Sequence, residues 1–143
     1  MKLKLIIPMT TQTAILLLQT AGRLQHNIAL NLAPLELTAQ QLKVLHIVFE
    51  SENQQSTVNE IKANMLDPNS NVSRLLNKLL DKQWIKKIKD QDDQRIVYVK
   101  ITASGKKIMC QGKEKMDESM ACMKTLTDAE LKKLSTILSK IEC

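Results

Sequence analysis

A chain of 143 residues is long enough for one domain with a real core, and its 43% apolar and 25% charged content is that of a globular protein, not of a disordered chain. Glycine occurs only at 22, 105 and 112, histidine at 26 and 46, and cysteine at 110, 122 and 143, which excludes a Walker loop, a dinucleotide fingerprint, HExxH, GxSxG and CxxC sites. The net charge of +6 is concentrated: residues 67–110 carry ten Lys/Arg against five Asp/Glu, while both flanks are nearly neutral.

A local basic field between neutral ends suits a polyanion, although a solvated charged face has the same composition. Phe49, Trp84 and Tyr98 are the only aromatics, too few for a surface that stacks single-stranded bases. No enzyme, cofactor or metal site is expected.

Lys2 and Lys4 ahead of Leu5-Ile6-Ile7 faintly resemble a secretory signal, but Pro8 and Thr10–Thr13 split the apolar run, which is too short to span a bilayer. An odd, unpatterned set of cysteines fits a reducing compartment, so a cytoplasmic protein without a membrane anchor is expected.

In chain order, residues 10–32 read as a first helix, with Ile15, Leu18, Leu24 and Ile28 in an apolar stripe and Pro34 closing it. Thr38 and Gln41 form a capping box opening a helix to about Glu50, with Leu42, Leu45 and Phe49 inward. Residues 52–56 read as a polar loop. Thr57 and Glu60 form a second capping box for a short helix carrying Ile61 and Met65, and residues 67–70 read as a turn that starts the next helix.

In that next helix Val72, Leu75, Leu76, Leu79 and Leu80 follow the i, i+3, i+4, i+7, i+8 spacing of a buried stripe. Its other face carries Ser70, Asn71, Ser73, Arg74, Asn77, Lys78 and Asp81. Two helices joined by a tight turn, the second presenting hydrogen-bonding groups, make a helix-turn-helix. Residues 85–89 and 95–101 read as strands around a polar turn at 90–94, which adds a wing. From the Thr102 cap a helix runs to about Lys124. A third capping box, Thr127 and Glu130, opens a last helix with Leu131, Leu134, Leu138 and Ile141 on one face.

LTAQQLKVL at 37–45, SNVSRLLNKLLDKQWI at 70–85 and DQRIVYVKITASGKKI at 93–108, in this order, resemble the MarR family of bacterial transcription regulators. The last is the most specific: Asp-x-Arg in the wing, a strand, then Thr-x-x-Gly opening a helix. The resemblance implies a mainly α fold with a small β-hairpin wing, a winged helix-turn-helix whose N- and C-terminal helices dimerise. It implies one domain over 1–143, with dimerisation helices at 1–36 and 103–143 around a DNA-binding module at 37–102. The partners it implies are double-stranded DNA with a near-palindromic site, a second copy of the chain, and a small-molecule effector. Asn69, Ser70, Asn71, Ser73, Arg74 and Asn77 would reach bases or phosphates, with Lys78 near the backbone. Arg95 would enter the minor groove, braced by Asp93, although an aspartate there equally suits a hairpin turn.

Two positions depart from the family's pattern. Asp90, Asp92 and Asp93 surround a single arginine in the wing, which weakens phosphate attraction at its tip. Gln83 stands where glycine is usual after the recognition helix, so it must adopt a left-handed conformation or the helix must end differently.

Other readings concern the sulfur residues. Met109, Met116, Met120 and Met123 fall within about 60° on a continuous helix, a stripe suited to irregular core or to a soft-metal or oxidant sensor. Cys110 and Cys122 would lie ~18 Å apart along that helix, too far to bridge within a chain, while Cys143 and intersubunit pairing stay open. His26 and His46 lack a second ligand at helical spacing. The rival function classes are a winged-helix protein-interaction module without DNA binding, favoured by the acidic wing, and a redox- or metal-responsive regulator.

Overall fold

The computed structural model describes residues 7–65 and 71–142. Helix α1 (Met9–Leu32) starts behind Pro8 and is largely exposed; only Leu32 is buried, with Ile28 packed against the core. A short 3-10 turn at Ala33–Leu35, with Pro34 inside it, ends on Glu36 at a left-handed φ of 51° and turns the chain into α2 (Ala39–Glu50). The Thr38–Gln41 capping box forms as read: Gln41 N–H donates to Thr38 Oγ1 at 3.2 Å and Thr38 N–H to Gln41 Oε1 at 3.0 Å. Leu42, Val44, Leu45, Ile47 and Val48 are all buried, so α2 is apolar on most of its circumference and forms the centre of the fold.

The expected loop at 52–56 is partly a strand. After a tight turn with Asn53 and Gln54 at positive φ, β1 (Gln55–Thr57) pairs antiparallel with a later strand. Only Thr57 in this polar sequence favours a strand; Ser56 is buried opposite Val99, and that pairing decides the conformation. Helix α3 (Val58–Asn64) follows with its Thr57–Glu60 box formed and Ile61 fully buried. The expected turn at 67–70, with Asn69 and Ser70, lies outside the described residues.

Helix α4 (Val72–Asp81) buries Val72, Leu76 and Leu79 and half-buries Leu75 and Leu80, the stripe read from the spacing. It closes by a Schellman arrangement: Trp84 N–H donates to Leu79 O at 3.0 Å and Gln83 N–H to Leu80 O at 2.9 Å. Gln83 has φ 59°, so the first of the two alternatives holds and a non-glycine occupies the left-handed position.

Strands β2 (Ile85–Lys89) and β3 (Val97–Ile101) form the wing hairpin, and the sheet order is β1-β3-β2. The second strand begins at Val97, two residues later than its composition indicates, because Arg95 is taken up in the turn: Ile96 N–H donates to Asp93 O at 2.9 Å. Helix α5 (Ala103–Ser119) is capped by Thr102 and ends five residues before the expected Lys124, passing into a 3-10 stretch at Ala121–Thr125. Ser119 is buried, donates to Lys115 O at 2.7 Å and accepts from Asn31 Nδ2 of α1 at 2.9 Å, tying the helix end to α1. Helix α6 (Asp128–Leu138) carries its capping box and buries no residue; Leu131 and Leu134 are half-buried and Ile137 and Leu138 exposed, and the helix ends before Ile141, expected on the same face, which is exposed beyond it. No helix among the described residues is long and apolar enough to cross a membrane.

Candidate nucleic-acid interface

The polar face of α4 is built from its N-terminus upward. Asn71 caps the helix, its Oδ1 accepting from Arg74 N–H at 3.0 Å, and its amide Nδ2 donates to no described residue. Ser73, Arg74, Asn77 and Lys78 follow, all exposed. With Thr38, Gln40 and Gln41 at the start of α2, Asn71, Arg74 and Lys78 line an open groove of about 490 Å³. Two helices thus present amides, a hydroxyl and two cations to one concavity.

The wing turn is held from within. Asp90 Oδ1 accepts from the Asp93 and Asp92 amides at 3.0 and 2.9 Å, which holds the Asp90 carboxyl below the usual aspartate range. Asp93 Oδ1 accepts from the Arg95 amide at 2.9 Å. Asp93 therefore supports Arg95 through its backbone, as an Asx turn does, and the guanidinium forms no ion pair with a described residue. Both residues are exposed.

Ion pairs among the described residues are confined to Lys82–Glu36 and Lys115–Glu118. Arg74, Lys78, Lys86, Lys87, Lys89, Arg95 and Lys100 consequently carry charge that no described acid compensates. The composition located that charge, but reading the elements assigned no role to the β2 lysines. Lys82 has a structural role: its ammonium lies 4.5 Å from the Trp84 ring centroid and 4.0 Å from the Glu36 carboxylate.

The sulfur residues do not form the single stripe expected of a continuous helix, because α5 stops at Ser119. Met109 and Met116 line an apolar cleft of about 160 Å³ between α2 and α5, with Leu42, Lys43, His46 and Lys113. Met120 and Met123 line a separate, open concavity beside α6. Cys110 and Cys122 are exposed and free, on different elements; Cys143 lies outside the described residues. The described residues hold no group of three His, Cys, Asp or Glu side chains placed around a common point. His26 is exposed on α1.

The family described as "Transcriptional regulator SarA/Rot" matches residues 28–118. The chain is 33% identical over 125 residues to the multiple antibiotic resistance protein MarR of Salmonella typhimurium, covering 86% of this chain and 83% of that one. It is 30% identical over 108 residues to YpoP of Bacillus subtilis, an uncharacterized HTH-type transcriptional regulator, covering 75% of each. Among solved structures, a mutant E. coli MarR complexed with operator DNA superposes with a TM-score of 0.75 at 27% identity, covering 89% of this chain and 91% of that one. The S. aureus MepR–DNA complex has the same fold, with a TM-score of 0.77 at 22% identity over 89% and 93% of the two chains. The amphipathic second helix, the wing and these likenesses agree: the chain belongs to the MarR/SarA family of winged helix-turn-helix transcription regulators, which bind DNA and are not enzymes.

Proposed function

We propose that the chain works as a homodimer that reads a near-palindromic duplex site through α4 and the wing, and that a small molecule modulates this binding. The observation that carries the reading is the uncompensated polar face of α4, where Asn71, Ser73, Arg74, Asn77 and Lys78 stand together beside the groove at α2. Asn69 and Ser70 precede that face in the chain. On this reading Arg74 contacts bases or phosphates, Lys78 the backbone, and Arg95 the minor groove, with Asp93 holding its turn. The operator complex of E. coli MarR supports the same docking by analogy.

Dimerisation through residues 1–36 and 103–143, around the module at 37–102, is supported by apolar surface that one protomer leaves open. Leu16 and Leu18 on α1 are 59% and 72% exposed, and Ile137 on α6 is 48% exposed. Such surface on two terminal helices calls for a partner, and a second copy closes a two-fold.

Two clefts adjoin the junction of dimer helices and DNA module. One of about 370 Å³ lies between α1 and α2, lined by Ile28, Ala29, Ala33 and Leu37. The other is the apolar α2–α5 cleft. A ligand in either shifts the spacing of the two α4 helices only if it binds the two arrangements unequally.

The test is fluorescence anisotropy with duplex DNA from upstream of the protein's own gene, across a salt series, for wild type, Arg74→Ala and Arg95→Ala. The expected result is salt-sensitive, sequence-preferring binding that Arg74→Ala weakens. Weak binding without preference over random duplex, unchanged in both variants, would favour a protein-interaction module.

A further inference from the structure

Strand β2 carries three lysines that the docking of α4 and the wing turn leaves without a role, and its register divides them between two faces. Ile85 pairs with Ile101, Lys87 with Val99 and Lys89 with Val97. Because strand side chains alternate, Lys87 and Lys89 share the face of buried Ile85, Val99 and Ile101, the one turned toward the helices; Lys86 and Ile88 take the opposite face. Along this inner face burial ends abruptly. Ile85, Val99 and Ile101 are at most 3% exposed, while Val97 is 37% exposed and both lysines are exposed. The stem of the wing therefore reaches the edge of the core at the Lys87–Val99 rung and overhangs it at the Lys89–Val97 rung, and β2 lies beside α4.

We propose that Lys87 and Lys89 form a phosphate-binding track that grips the DNA backbone between the groove entered by α4 and the groove faced by the wing turn. The proposal rests on the DNA-binding reading of α4. Three observations carry it. The two lysines leave the strand at backbone positions about 6.6 Å apart, at roughly 3.3 Å per residue, so each can engage its own phosphate. Neither forms an ion pair with a described residue, the acids of the adjoining turn, Asp90, Asp92 and Asp93, included. The track is also continuous with the charge of α4, since β2 follows that helix after the Lys82–Trp84 corner. A duplex held by Arg74 and Lys78 at one end and Arg95 at the other must pass this overhang. The cations missing from the acidic tip stand here in the stem, which reconciles that tip with a basic module.

The experiment measures anisotropy of the full-length protein on duplex from upstream of its own gene and on random duplex of equal length, over a salt series. It compares wild type, Arg74→Ala, the pair Lys87→Gln/Lys89→Gln, the pair Lys87→Arg/Lys89→Arg, and an equal charge loss on α6, Lys132→Gln/Lys133→Gln, with sedimentation velocity confirming that this last pair keeps the wild-type oligomeric state. Phosphate binding predicts that the glutamine pair weakens both duplexes by a similar factor. The slope of log K against log salt should fall by about 1 to 2, close to 0.9 for each phosphate no longer neutralised. The arginine pair should keep the slope, and the α6 pair should leave it unchanged. Lysines on an edge strand also block strand pairing. If that is their only role, the glutamine pair keeps the wild-type slope while Arg74→Ala still weakens binding, and the proposal alone is overturned. If wild type shows no salt-sensitive binding, the proposal falls with the reading beneath it. A slope change matched by the α6 pair would reduce it to net charge and overturn it as well.

Discussion

Gly105, in the first turn of α5, lies so close to Trp84 that a Cβ on it would stand 2.0 Å from the Trp84 carbonyl oxygen. The same carbonyl accepts from Thr102 N–H at 3.0 Å, and the Thr102 hydroxyl reaches the Gln83 and Trp84 carbonyls at 2.8 and 3.0 Å. Thr102 Oγ1 in turn accepts from Gly105 N–H at 3.0 Å. The Thr-x-x-Gly motif is thus a clasp that fixes the end of α4 to the start of α5, joining the helix proposed to read DNA to one proposed to dimerise.

Substituting that glycine tests the clasp. Gly105→Ala forces a side chain against backbone and should destabilise the fold by about 3 kcal/mol, at the upper end of overpacking costs, read from the urea midpoint. Gly22 has no atom within 4 Å of the equivalent position, so Gly22→Ala should stabilise α1 by up to about 1 kcal/mol. Equal effects at both sites would refute the close approach.

Gln83→Gly should be neutral or stabilising by up to about 1 kcal/mol, because relief of the left-handed strain is offset in part by glycine's larger chain entropy. Thermal unfolding checks this, and a clear loss of stability would mean that the Gln83 side chain itself supports the fold.

Asn71 has two separable duties. Asn71→Ala loses the cap and should cost about 1 kcal/mol of stability as well as DNA affinity. Asn71→Ser keeps an acceptor for Arg74 N–H but removes the Nδ2 donor proposed to meet DNA, so it should retain the melting temperature and lower affinity alone. Paired denaturation and anisotropy measurements separate the two.

Acid should weaken the fold through its caps. Glu60 and Glu130 sit below the usual glutamate value, first because each accepts from a threonine backbone amide, Thr57 and Thr127, and second because each accepts from that threonine's hydroxyl. The unfolded chain therefore binds more protons than the folded one near its own carboxylate range. The stabilisation is complete above the unfolded value, about 4.3, and is lost as pH falls through the lower folded values. Glu60→Gln/Glu130→Gln keeps both capping boxes without a titrating group and should flatten this acid limb in melting temperature against pH.

If α1 and α6 meet a second copy, Leu18→Glu/Ile137→Glu should convert a dimer to a monomer in sedimentation velocity, with DNA affinity falling alongside. A variant that remains dimeric would place the interface elsewhere.

The elements that a local signal specifies were legible in the residues alone. Three capping boxes marked helix starts, and the period of Val72, Leu76 and Leu79 marked the buried face of α4, because caps and stripes depend on neighbours within one turn. Asn71, Ser73, Arg74, Asn77 and Lys78 followed as the face left over. Tertiary structure decided what depends on distant partners. Gln55–Thr57 is a strand only because Lys100, Val99 and Tyr98 stand opposite, and Asp93 holds the backbone amide of Arg95. The end of α5 at Ser119 belongs with these, since Ser119 is buried and bonded to Asn31, 88 positions earlier in the chain. The inner side of the wing, where Lys87 and Lys89 stand, was likewise settled by pairing. A period of two states that the sides alternate, but only burial of Ile85 against the helices says which side faces them.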